Sequence, residues 1–115
     1  MNQSIPQVNL GQINQGDFWD GFRIEDPEEN GYFLPFTGKM TIRKGKENGT
    51  VVKTIDGLIT LDGNRITFPG YKVTEVPSDY VFDVVLTTIS SGAEYTLLEG
   101  KLKVNYRITE QTTTP

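Results

Sequence analysis

Apolar and polar side chains alternate with a period of two along much of this chain, most plainly toward its C-terminal end. Tyr80, Phe82, Val84 and Leu86 share one parity. After the turn signal Ser90-Ser91-Gly92, Leu98, Gly100, Leu102, Val104 and Tyr106 share one parity, while Glu99, Lys101, Lys103 and Arg107 take the other. Successive side chains of an extended strand point to opposite faces, so each stretch predicts a strand with one buried and one wet face, and the two together form the expected central hairpin. Residues 39–44 read the same way, with Met40 and Ile42 inward. They lead through Gly45-Lys46-Glu47-Asn48-Gly49, which holds a turn-favouring Asn-Gly pair, to a partner strand at residues 51–55. Asp56-Gly57 and Asp62-Gly63-Asn64 bracket two short runs, 58–61 and 65–68, and Pro69-Gly70 is expected to end the second.

The N-terminal part is less regular. Phe18, Phe22 and Ile24 share a parity opposite to Trp19, Arg23 and Glu25, which predicts a strand that buries Phe18 and displays Trp19. Residues 26–31 form an acidic turn, and residues 32–38, broken by Pro35 and closed by Gly38, read as an irregular connection packed on the core. Residues 1–15 scatter Ile5, Val8, Leu10 and Ile13 among polar amides. That pattern fits an extended arm able to add a strand to a partner, and equally a loosely ordered terminus or a first edge strand. No segment sustains a helical period. Short strands separated by turns every eight to twelve residues or so predict an all-β sandwich or barrel. The expected division is an arm at 1–15, a sandwich at 16–109 and a flexible tail at 110–115.

Composition narrows the functions. A chain of 115 residues is one domain's worth. The absence of cysteine and histidine removes disulfides, thiolate and imidazole metal sites, and Ser-His or Cys-His catalysis. Net charge is −4 with the 11 basic residues dispersed, so no electrostatic footprint for nucleic acid is present. No apolar run approaches the roughly 20 residues needed to span a bilayer, and the first residues lack a signal-peptide pattern, so a soluble protein made in the cytoplasm is expected. The Asp-Gly pairs read as turns, because the regular carboxylate spacing of a calcium loop is missing. Asp26, Glu28 and Glu29 read as a solvated acidic loop. Asp83 is the one acid inside a strongly apolar strand; its parity points it outward, and a catalytic role is the weaker reading. Trp19, Tyr32, Phe33, Phe36, Tyr71 and Tyr95 offer either a sugar-stacking platform or core filling, the latter favoured. No catalytic residue, metal ligand or cofactor is expected, and the chain reads as a non-enzyme.

Three stretches resemble short virion proteins of tailed bacteriophages, similar to immunoglobulin-like N-terminal domains of phage baseplate and tail proteins. These are Asp17-Phe18-Trp19-Asp20-Gly21-Phe22-Arg23-Ile24-Glu25-Asp26, then Phe36-Thr37-Gly38-Lys39-Met40-Thr41-Ile42-Arg43, then Tyr80-Val81-Phe82-Asp83-Val84-Val85-Leu86-Thr87 with Leu97-Leu98-Glu99-Gly100-Lys101-Leu102-Lys103-Val104. The resemblance covers residues 17–109. It implies an immunoglobulin-like sandwich of about seven or eight antiparallel strands, carried in a virion in several copies. Its partners would be other virion structural proteins and copies of itself, with no nucleic acid and no membrane. The leading expectation is a structural protein of the tail, baseplate or neck; a capsid decoration or head-fibre protein is the alternative. A module binding host-surface glycan through Trp19 and the tyrosines is the alternative from another class. Candidate partner contacts are Ile5, Val8, Leu10, Ile13 and Trp19. Gly100 is expected to be structural, allowing a bulge or the close approach of an aromatic ring.

Overall fold

The regular alternation of the second half folds as it reads from Tyr80 to Val104, while Tyr106, expected on the same buried face, lies past the last strand and is exposed. A computed structural model describes residues 6–46 and 48–106. Its strands are β1 (Gln7–Asn14), β2 (Phe18–Glu25), β3 (Phe36–Lys44), β4 (Val51–Asp56), β5 (Leu58–Ile59), β6 (Arg65–Lys72), β7 (Ser78–Thr88) and β8 (Glu94–Asn105). They form two sheets, one in the order β1-β8-β7-β3-β4 and the other β2-β6-β5. Three strands facing a sheet that carries an extra edge strand is the immunoglobulin-like arrangement, with β4 as the added strand of the larger sheet. All pairings are antiparallel except β1 with β8, which is parallel.

The core lies between the sheets. Tyr80, Phe82, Val84 and Leu86 of β7 meet Met40 and Ile42 of β3 and Leu98, Leu102 and Val104 of β8 on one side, with Trp19, Ile66 and Phe68 of the smaller sheet opposite. Each such side chain contributes about 1.5–3 kcal/mol on leaving water. Gly100 pairs with Phe82 in the β7–β8 register. A Cβ at this position would sit 2.6 Å from the Phe82 ring and overlap the Val8 carbonyl, so the glycine admits ring and β1 backbone together. At the start of β7 the Tyr80 hydroxyl donates to the Val76 carbonyl, 2.5 Å away and four residues upstream. This is the tyrosine corner of immunoglobulin-like sandwiches.

Three stretches resolve or reverse the sequence reading. First, residues 7–14 are an edge strand of this chain's own sheet. Val8, Leu10 and Ile13 pack against the core, so they are spent within the molecule; Ile5 lies outside the described residues, as do 107–115. A bulge between Asn9 and Gln12 shifts the parity, so Val8 pairs with Gly100 and Ile13 with Val104 although their spacing is odd. Second, Trp19 is buried at 8% exposure while Phe18 is 62% exposed, the reverse of the expected facing. The alternation changes phase at Gly21, whose φ of +78° and contact with the Phe68 carbonyl exclude any side chain. Phe22 and Ile24, beyond it, pack against the core as expected. Third, Pro69-Gly70 lies within β6, where Pro69 stands beyond the reach of β5, which pairs only through Thr67 and Ile66; the missing N–H therefore breaks no ladder bond on that side.

Truncating Trp19 to alanine is expected to cost about 3–5 kcal/mol as a core deletion. Thermal denaturation checks this: a melting temperature at least about 10 °C lower is predicted, whereas a displayed tryptophan would leave it nearly unchanged.

Candidate interaction surface at the loop end

The topology gathers the β2–β3, β5–β6 and β7–β8 connections at one end of the sandwich. They are braced to one another through the backbone. Phe33 N–H donates to the Gly63 carbonyl (2.9 Å), Asp26 N–H to the Asn64 carbonyl (2.8 Å) and Ile89 N–H to the Pro35 carbonyl (2.9 Å). The Asn64 side-chain oxygen accepts from Gly31 N–H at 2.7 Å. Asp26 organises the longest loop by accepting from the backbone N–H groups of Glu28 (3.1 Å), Asn30 (2.9 Å) and Tyr32 (3.2 Å). Asp62 closes the β5–β6 turn by accepting from the Thr60 hydroxyl (2.6 Å) and Asn64 N–H (3.0 Å). Both acids expected as turn or loop residues are therefore committed to loop geometry. Among the described residues no group of three acidic side chains is placed to hold a metal ion.

These hydrogen bonds set the two carboxyls' titration. At Asp26 desolvation pushes upward, but the N–H groups of Asn30, Glu28, Tyr32 and Glu29 outweigh it and hold the carboxyl low. At Asp62 the Thr60 hydroxyl and Asn64 N–H do the same.

On this braced frame stand exposed apolar side chains: Tyr32, Leu34, Leu61, Ile89 and Tyr95. A run of rings connects them to the core. Tyr32 sits edge-on to buried Phe33 with centroids 5.1 Å apart, Tyr32 to Phe36 is 5.7 Å, and Phe36 to Tyr95 is 6.1 Å. Aromatic side chains are rigid and amphipathic, so displaying them on pre-ordered loops reduces the entropy lost on docking. Acids flank the patch: Glu25, Asp26, Glu28, Glu29, Asp56, Asp62 and Glu94 lie in this half of the sandwich, against Arg23, Lys39 and Arg65. The opposite half carries Arg43, Lys44, Lys46, Lys53, Lys72, Lys101 and Lys103 against Asp17, Asp20, Glu75 and Asp79. Asp83 and Glu99 stand between the two halves, and charge is thus graded along the strands from the acidic loop end.

The six candidate aromatics divide. Trp19 and Phe33 are buried and Phe36 and Tyr71 are partly so, leaving Tyr32 and Tyr95 on display. Trp19 therefore cannot be a surface contact; it packs edge-on against Tyr71 at 6.0 Å. Lys53 Nζ lies over the Tyr71 ring, 4.5 Å from its centroid, and the Tyr71 hydroxyl donates to Glu75 at 3.1 Å. Burial, with Glu75 alongside, pushes the Tyr71 phenol far above its ordinary value.

A second polar surface covers the outer face of the larger sheet. Asp83 stands there as expected, and the register sets Glu99 directly opposite it on β8 and Thr41 opposite it on β3. Gln7 donates to Glu99 at 3.1 Å. Burial pushes the Asp83 carboxyl up, Arg43 opposes this, and Glu99 adds to it. The sequence marked Asp83 alone. Its pairing with Glu99 depends on a strand register that parity does not specify. The two acids lie in an open depression shared with Arg43 and Lys101, so the carboxylates are flanked by their own counter-charges.

No protein-family model matches this chain, and no curated protein matches it. Among solved structures it is similar to an uncharacterized protein from Bacillus anthracis str. Ames, with a TM-score of 0.49 and 21% identity over 85% of this chain and 84% of that one.

Stability should follow two opposed pH limbs. The raised value of Asp83 means that the folded state takes up its proton first, so stability increases as pH falls through that raised value toward the ordinary 3.8. Asp26 and Asp62 are lowered, so their contribution is full above the ordinary value of 3.8 and is lost as pH drops below it. Melting temperatures measured from neutral to strongly acidic pH are expected to rise and then fall. Asp83→Asn should flatten the first limb and Asp26→Asn the second.

Proposed function

We propose that this chain is a non-enzymatic structural protein of a tailed-bacteriophage particle, of the tail, baseplate or neck region, and that it docks on neighbouring proteins through its loop end. The observation that carries the docking reading is the exposed set Tyr32, Leu34, Ile89 and Tyr95, held on loops already braced by hydrogen bonds. Large apolar side chains displayed together on ordered loops mark interaction sites more often than chance exposure does. The virion assignment comes from the sequence resemblance, whose three stretches fall on β2, on β3 and on the β7–β8 hairpin. Assembly on a particle suits a small binding domain, because repeated weak contacts sum to stable attachment. A capsid decoration protein would use the same surface on the shell.

The exposure of Tyr32 and Tyr95 favours one second reading, the stacking of a host-surface glycan. Trp19 takes no part in it, being buried.

Antibody labelling of particles from a host that carries this chain tests the proposal. Label is expected at the tail or its base. The double variant Ile89→Asp/Tyr95→Ser, at two exposed positions, should fold normally yet reduce labelling at least about tenfold, the loss expected for removing interface anchors. Unlabelled particles, or label unaffected by the variant, would reject the reading. Specific binding on a glycan array that Tyr95→Ala abolishes would favour the sugar reading instead.

A further inference from the structure

Apart from Leu58 on the edge strand β5, the large exposed apolar side chains of the described residues gather at the two ends of the sandwich. Beside the acidic loop end with Tyr32, Leu34, Ile89 and Tyr95, the opposite end shows Phe18 at 62%, Val76 at 53% and Val51 at 45% exposure. Phe18 opens β2 and Val51 opens β4, and Val76 lies in the β6–β7 connection. All three therefore sit at the end to which β3, β6 and β8 deliver Lys44, Lys72 and Lys103. One end is apolar within an acidic surround; at the other, Lys44, Lys46, Lys72 and Lys103 stand among Asp17, Asp20, Glu75 and Asp79, with Arg43, Lys53 and Lys101 in the strands behind them. The sheet flanks between them carry polar rows, such as Gln7, Glu99, Asp83 and Thr41.

We propose that the loop end of one molecule docks on the opposite, lysine-bearing end of a second copy of the same chain, so that the sandwiches stack head to tail. This rests on the reading of the loop end as a docking surface and adds the identity of its occupant. Three observations support a second copy. Its far end offers Lys44, Lys46, Lys72 and Lys103 as opposite charges to the acidic loops. It also presents apolar side chains for Ile89 and Tyr95 to cover. Two loop ends meeting by a two-fold axis would instead bring like charges together, which disfavours the symmetric dimer.

Size sets the strength. The two short extents of the molecule are 29 and 21 Å, so an end face has a footprint of roughly 600 Å². A standard interface buries about 800 Å² per partner, so a single end-to-end contact falls at the weak, reversible end of the range. Such a contact is heterologous and propagates: it builds chains, or rings where the rotation closes. Because opposite charges contribute, its strength should follow ionic strength, with a screening length of roughly 30 Å at 0.01 M salt and roughly 3 Å at 1 M.

Sedimentation velocity of the purified full chain tests this. At low salt and high concentration the protein is expected to form species larger than dimers that dissociate to monomer at high salt, with at least about a tenfold change in apparent association constant. Ile89→Asp blocks the loop end and the pair Lys44→Glu/Lys103→Glu blocks the other; each variant, checked for an unchanged melting temperature, should be monomeric alone. Mixed, they should give a one-to-one dimer that grows no further, because each retains one working end. A wild-type chain that stays monomeric at low salt overturns the inference, as does a mixture that fails to pair or a dimer insensitive to both variants. If the wild type stays monomeric while Ile89→Asp still loses its place on the particle, the docking surface stands and its occupant is a different protein.

Discussion

The register of β7 against β8 is the constraint on which the remaining structure depends. Phe82 opposite Gly100 is its pivot. The glycine leaves room for the ring on the core face and for the backbone of β1 at the sheet edge, so one small residue lets three strands approach. With that register set, Tyr80, Val84 and Leu86 face the second sheet together, and β3 pairs along the free edge of β7. The Tyr80 hydroxyl bond to the Val76 carbonyl then fixes where β7 begins, and with it the level at which the β7–β8 loop emerges beside Pro35.

From this follows a division of labour over the surface. The inner faces are used by the core, and the outer face of the larger sheet balances acids against bases across its strands. Edge strands carry their own protection: β1 is bulged and β5 is only two residues long, features that discourage uncontrolled strand addition. What is left for recognition is the two ends, and these differ in charge and share an apolar character. The Asp26 carboxylate illustrates the economy of the arrangement, since it both orders the loop that presents Tyr32 and adds to the acidity around it.

Legibility in the sequence tracked the regularity of the pleat. β3, β7 and β8 from Leu98 onward were readable because nothing interrupts their alternation at the core-facing positions, whereas in β4 a register shift sets Val52 and Ile55, of opposite parity, against the core. β1 was ambiguous because a bulge joins two parities, so Val8, Leu10 and Ile13 do not look like one face. Trp19 was misread for a related reason, since parity counted across Gly21 carries the wrong sign when the backbone there adopts a positive φ. The structural role of Gly100 was readable because a lone glycine in an otherwise apolar face implies a close neighbour. The loop-end patch was not, because Tyr32, Ile89 and Tyr95 belong to segments far apart in sequence and each, taken singly, resembles core filling. Only the strand order brings them together, and the single local hint was the placing of several apolar residues in or beside turns.

The central claim is that the ends of this sandwich, and not its faces or edges, are its working surfaces. Hydrogen–deuterium exchange compared between the dilute monomer and the assembled protein tests it most directly. The account predicts slowed exchange in residues 27–34 and 89–93 and in the opposite-end segments 48–50 and 74–77, with the strand amides unchanged. Protection confined to β4, or spread along the outer face over β3, β7 and β8, would contradict it.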